Sequence, residues 1–240
     1  MNIEIISTFS SKDYTYYGQQ FLLSLEKFLD ETIDVTLYLD DCNIHHSNRF
    51  CRKYLNTIKD LTLFKQKHIN YVPTSWHTDV VKFSHKSYVI CDAVEKTNKD
   101  IIIWLDADTI ALQNITKKYL LDKISNNHYC SLIDRPKCAE TGFLAFNLNH
   151  NDTRKVIAEF KEYYDKDLIF QIPEQHDAYV FSHVVRQYAK TKDVFPFDLC
   201  STVEIKKHHF NDIFENYFIH LKGKRKNNPI KYMKKALKNT

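Results

Sequence analysis

The chain has 240 residues, 43% of them apolar, and a formal net charge of +4. That length fits one domain with a sizeable core, and so mild a charge without a groove-reading motif gives no case for nucleic-acid binding. Gly18, Gly142 and Gly223 are the only glycines, which excludes a Gly-x-Gly-x-x-Gly dinucleotide fingerprint and a Walker phosphate loop. A diphosphate bound here must be held by a metal and by Lys or Arg. Six cysteines are scattered without a Cys-x-x-Cys pair, as expected of free, mostly buried thiols in a reducing compartment. The opening Met-Asn-Ile-Glu-Ile-Ile reads as a strand and lacks the basic start and apolar stretch of a signal peptide. No apolar run reaches membrane-spanning length, so a soluble, cytoplasmic protein is expected.

In chain order, residues 2–8 read as a first strand and Thr8–Tyr14 as a polar loop. Phe21, Leu22, Leu25, Phe28 and Leu29 line one face of a helix over 15–30. Val35–Leu39 is a second strand, closed by Asp40-Asp41. A helix is expected over 47–59 and one or two short strands over 61–72. A long helix over Asp79–Thr97 precedes the apolar strand 101–105. This strand–helix alternation predicts an α/β fold with a mixed, mostly parallel central sheet flanked by helices. Beyond Thr109 come short strands at Tyr129–Ile133 and Gly142–Asn147, separated by an irregular stretch. Helices follow at Asp152–Tyr164 and Glu174–Ala189, then a late strand at Asn216–His220. The expected organisation is one continuous domain over 1–226, with a nucleotide half (1–110) and an acceptor half (111–226), and a basic tail over 227–240.

From Lys222 onward there are eight Lys/Arg and no acidic residue. A short helix from Ile230 could give weak peripheral contact with anionic lipid. A solvated basic end explains the last ten residues more simply.

The most informative stretch is Ile-Ile-Ile-Trp-Leu-Asp-Ala-Asp-Thr-Ile at 101–110. A strand apolar throughout is buried on both faces. It stops at Asp106, with Asp108 at i+2, a spacing that puts both carboxylates on one side of an extended segment. Ligands of open α/β sheets bind at such strand ends. Two carboxylates beside a core repel each other and lose solvation, so they call for a cation. Hard oxygen ligands suit Mn²⁺ or Mg²⁺ bridging to phosphate. A second triplet, Asp165-Lys166-Asp167, follows a helical stretch and reads as a solvated turn.

Three motifs in order, Asp106-Ala107-Asp108, Glu140-Thr141-Gly142-Phe143-Leu144-Ala145-Phe146-Asn147 and His220-Leu221-Lys222-Gly223-Lys224-Arg225-Lys226, resemble those of a GT-A-fold glycosyltransferase. The last is similar to the His-x-x-Gly-x-x-Lys of the glycogenin-like and bacterial galactosyltransferase-like families. The resemblance covers nearly the whole chain up to Lys226. It implies a single GT-A (Rossmann-like) domain and transfer of a sugar from a nucleotide-sugar donor, a UDP-sugar first, to a glycan or glycoprotein acceptor. It also implies Mn²⁺ (or Mg²⁺) held by Asp106, Asp108 and His220, with Ala107 lining the donor, Gly223 allowing close approach to phosphate and Lys226 supplying charge. Asn227-Asn228-Pro229 follow where the families continue with Pro-Trp, so Lys224 could take the place of Lys226.

The same resemblance makes Thr8, Phe9 and Tyr14, after the first strand, candidates for the nucleobase. Lys82 and Lys86, i and i+4 on the helix before the metal strand, share a face, and Lys86 is preferred for the donor. Asp177 opens a helix after Gln175-His176. It is either a helix-start carboxylate, a general base for the acceptor hydroxyl with inversion, or a carboxylate stabilising an oxocarbenium-like centre with retention. Glu140 and Thr141 border the donor sugar or the acceptor. A haloacid-dehalogenase-type phosphatase is disfavoured, because its motif lies near the N-terminus and is followed by Gly-Thr, and no Gly-Asp dipeptide exists here. A degenerate GT-A fold that binds or assembles without turnover stands as the alternative.

Overall fold

The computed structural model describes residues 1–42, 44, 49–202, 204, 209–214, 217–228 and 231. The chain begins with β1 (Ile3–Ser10), then α1 (Ser11–Asp13), a π turn (Tyr14–Gly18) and α2 (Gln19–Phe28). Next come β2 (Asp34–Asp40), β3 (Cys51–Tyr54), a 3-10 turn (Leu55–Thr57), α3 (Lys59–Lys67), α4 (Val80–Lys96), β4 (Ile101–Leu105) and β5 (Thr109–Ala111). α5 (Lys117–Lys123), β6 (Cys130–Ile133), β7 (Glu140–Asn147), α6 (Thr153–Asp165) and α7 (Asp177–Lys192) follow. The described part closes with β8 (Phe197–Asp198), α8 (His209–Phe214) and β9 (Phe218–His220).

The main sheet has seven strands in the order β3-β2-β1-β4-β7-β6-β8. β4, β1, β2 and β3 run parallel, and β7 is antiparallel to both β4 and β6. This is the expected mixed, mostly parallel sheet. All five residues of β4 are buried. Ile102 and Trp104 face a core closed by α3, α4, α6 and α7. Ile101, Ile103 and Leu105 face a second core closed by α2, α5 and α8. Two apolar layers, one on each face, explain why the strand carries no polar alternation.

The expected helix over 47–59 and strands over 61–72 are corrected, residues 47 and 48 lying outside the described part. Cys51–Tyr54 is an edge strand, and Lys59–Lys67 is α3. None of the four β3 residues is buried, so backbone pairing to Thr36–Leu39 holds the strand and leaves no apolar alternation to read. In α3, Leu61 and Phe64 lie three apart and are buried, which is helical spacing. Among the described residues, no helix is long and apolar enough to cross a membrane. The expected helix from Ile230 falls, apart from Lys231, outside the described residues.

Candidate active site

The end of β4 carries the candidate site. Past Leu105 the chain does not continue extended. The Thr109 amide donates to the Asp106 carbonyl at 3.0 Å, closing a turn over Ala107 and Asp108. The two carboxylates therefore converge through this turn rather than through the extended spacing expected, and β5 then leaves the main sheet to pair antiparallel with β9. The register Thr109↔His220 brings His220 beside the turn, and the Leu221 amide donates to the Asp108 carbonyl at 2.9 Å.

His220 Nε2 lies 3.0 Å from Asp108 Oδ1 and 3.7 Å from Asp106 Oδ2. One ligand atom from each of the three residues lies within 4.8 Å of the others. Two carboxylate oxygens and one imidazole nitrogen suit Mn²⁺ better than strictly oxygen-seeking Mg²⁺. The His220 side chain is 1% exposed, whereas Asp106 is 26% exposed, so the donor set opens on the Asp106 side.

Two lysines balance the carboxylates. Lys226 Nζ is 2.7 Å from Asp108 Oδ2 and 4.7 Å above the Tyr17 ring. Burial opposes charge on Asp108, but His220 and Lys226 overcome it and hold that carboxyl below its usual range. Lys86 Nζ contacts Asp106 Oδ1 at 3.0 Å and Asp177 Oδ2 at 2.6 Å, and donates to the Thr141 carbonyl and hydroxyl. Burial disfavours its charge, yet Asp106 and Asp177 outweigh burial and raise its pKa. Asp177 also accepts from Thr141 Oγ1 at 2.7 Å. Burial acts to neutralise it, and Lys86 and Thr141 reverse that, keeping it ionised. The expected face shared by Lys82 and Lys86 divides in the structure: Lys86 is buried in the site, whereas Lys82 is exposed.

Behind His220 stands Glu140, 2% exposed at the start of β7. Its Oε1 is 3.6 Å from His220 Nδ1, and its Oε2 pairs with Lys222 and, at 3.1 Å, with Arg135. Burial would raise its pKa, but Lys222 and His220 together lower it. Gly142 leaves room for the His220 ring, and its carbonyl accepts the Asp106 amide at 2.9 Å. Gly223 has φ +59°, the left-handed region that favours glycine.

The nucleobase candidates lie at the carboxyl end of β1 and in the π turn after it. Thr8 donates its hydroxyl to the Tyr38 carbonyl at 2.6 Å. Phe9 is 3% exposed and stacks on Tyr14 at 5.9 Å, so its ring belongs to the core. Sequence reasoning passed over Tyr17, Trp104, Arg135 and Lys222. Trp104 could have been found, because it precedes Asp106 by only two residues at the end of β4, and its Nε1 donates to Asp106 Oδ1 at 2.7 Å. The side chain of Lys224 lies outside the described part.

No protein-family model and no curated protein matches the chain. Among solved structures it is similar to mouse xyloside xylosyltransferase 1 in its apo form, with a TM-score of 0.52 at 12% identity. The likeness covers 92% of this chain and 97% of that one. The fold is the GT-A glycosyltransferase fold. Within the GT-A frame, the Asp106–Asp108–His220 cluster sits where the central strand β4 ends, the position at which open α/β sheets bind ligands.

Proposed function

We propose that this chain is a metal-dependent glycosyltransferase that moves a sugar from a nucleoside-diphosphate sugar, a UDP-sugar first, to a hydroxyl of a glycan or glycoprotein. The observation that carries the reading is the convergence of Asp106, Asp108 and His220 at the end of β4 in a GT-A fold.

Asp106, Asp108 and His220 would hold Mn²⁺. The ion would supply positive charge for the departing nucleoside diphosphate. Lys226, already beside Asp108, would add a second positive charge on the same side, with Gly223 giving the backbone close access to phosphate. Thr8 and Tyr14 mark the nucleobase side at the carboxyl end of β1, with Phe9 supporting Tyr14 from the core. Ala107, inside the turn, would line the donor between the two carboxylates.

Asp177 would act on the sugar. A carboxylate paired to a buried lysine and to a threonine hydroxyl is a poor proton acceptor. It is better suited to stabilising positive charge at the anomeric carbon, which favours retention over a general-base role with inversion. Lys86 would fix Asp177 and Asp106 relative to each other, so that sugar and diphosphate meet a preset geometry.

Nucleoside diphosphate release from UDP-, GDP- and dTDP-sugars, with Mn²⁺ and with EDTA, tests the reading. Mn²⁺-dependent release from one donor is expected, as slow hydrolysis even without acceptor. The pairing of both Asp106 and Asp108 to lysines favours one second reading, a nucleotide-sugar binder that needs neither metal nor turnover. UDP binding unaffected by EDTA, with no release from any donor, would establish that reading instead.

A further inference from the structure

One residue before Asp177, a second set of ligand-type side chains converges. His77 lies in the 3-10 turn Trp76–Thr78, and Glu174 and His176 lie in the segment leading into α7. One ligand atom from each of His77, Glu174 and His176 lies within 4.8 Å of the other two. Glu174 Oε2 is 2.8 Å from His176 Nε2 and 3.5 Å from His77 Nδ1. Zinc–ligand bonds of about 2.0–2.2 Å in a tetrahedron give ligand–ligand edges of about 3.4 Å. Small shifts would let the three atoms share one ion.

The rings are held for this. Trp76 stacks on His77 at 3.5 Å between centroids. The Gln175 amide donates to the His77 carbonyl at 2.9 Å, fastening the turn to the segment before α7. His176 is 6% exposed. Lys137 takes Glu174 Oε1 at 2.5 Å and leaves Oε2 to the imidazoles. Among the described residues, His77 Nδ1 is shielded from solvent and makes no hydrogen bond, a costly state for a buried polar atom.

We propose that His77, Glu174 and His176 form a second divalent-cation site, of the zinc class, with the remaining position left to water. Two imidazoles and one carboxylate suit zinc and not the oxygen-seeking Mg²⁺ or Ca²⁺. Binding replaces the contact between His176 Nε2 and Glu174. The His176 proton moves from Nε2 to Nδ1, so the ring stays neutral, and Nδ1 gives up its 3.3 Å contact with the Tyr179 amide. That amide keeps its 3.0 Å bond to the His176 carbonyl. The ion clamps the Trp76–Thr78 turn onto the start of α7, beside Asp177. This site shares no ligand with the Asp106–Asp108–His220 cluster and does not depend on the reaction proposed for it.

Zinc binding by calorimetry and thermal melting separates the two sites. The Asp106→Asn/Asp108→Asn variant should still bind one equivalent of Zn²⁺ and melt higher with it. Adding His77→Ala should remove both effects. His77 has a side chain 36% exposed, so its loss should leave the circular dichroism spectrum unchanged; if it does not, Glu174→Gln answers the same question. A folded Asp106→Asn/Asp108→Asn variant that binds no zinc overturns the proposal. So does binding that survives both His77→Ala and Glu174→Gln.

Discussion

Gly142 lies directly against the ring of His220: a Cβ at Gly142 would stand 2.6 Å from His220 Cε1 and 2.8 Å from Nδ1. A methyl group cannot fit without moving the ring or β7. Gly142→Ala should cost about 1–3 kcal/mol, the usual range for overpacking. It should also weaken Mn²⁺ binding, because the displaced ring is a proposed ligand. Urea unfolding and Mn²⁺ titration of the same preparation check both effects, and unchanged Mn²⁺ affinity would show that β7 gives way and the ring stays in place.

Glu140 stands on the far side of that ring from Asp108. When Nε2 faces a metal, Nδ1 carries the proton, and a carboxylate behind it fixes the tautomer and the ring angle. Glu140→Gln keeps the shape and removes the charge. Mn²⁺ affinity should fall by about 10- to 100-fold, the range seen when such partners are lost, while the circular dichroism spectrum stays the same. Affinity equal to that of the unaltered protein would limit Glu140 to its bridge between Arg135 and Lys222.

Lys86 is the shared counter-charge of Asp106 and Asp177. Lys86→Met should destabilise the fold by about 3–5 kcal/mol, because it strands buried carboxylate charge. Lys86→Met/Asp177→Asn should recover much of the loss, a coupling that a double-mutant cycle in urea measures. Additive losses would show that the pair does not act as a unit.

His85, on α4 beside Lys86, bears on stability against pH. Burial and then Lys65 lower its pKa from 6.5 to about 4. The unfolded chain therefore binds the proton more readily than the folded one. This contribution is fully present above pH 6.5 and is lost as pH falls toward 4, with a limit on the order of 3 kcal/mol. Carboxylates also lose stability at the acid end, so the comparison with His85→Gln isolates the histidine. The variant should show a smaller fall in melting temperature between pH 7 and 5, and an identical fall would rule the histidine out.

Much of this was legible in the sequence where one residue's surroundings are set by its near neighbours. β4 could be read because both of its faces are buried. Lys86 is preferred over Lys82 for lying nearer the end of β4, but the helical repeat that predicts a shared face could not show that only Lys86 of the two is buried. β3 could not be read, since an edge strand held by backbone bonds leaves no apolar period. The Asp106–Asp108 pair was found through an extended geometry that the turn replaces, the end of an apolar strand being the informative part. Glu140 with Lys222, and His77 with His176, are joined only by the packing of distant segments, which no local pattern encodes.

The pairing of β5 with β9 also sets an order of events during synthesis. Synthesis runs from the N-terminus, so segments emerge from the ribosome in sequence order, and a domain folds as a unit once its parts are present. Asp106 and Asp108 leave the ribosome long before the strand that delivers His220. A nascent chain halted before β9 would present the two carboxylates without their imidazole. The proposed metal centre would therefore be among the last parts of the molecule to be completed, and a chain ended before Phe218 should bind Mn²⁺ at Asp106 and Asp108 more weakly than the full chain.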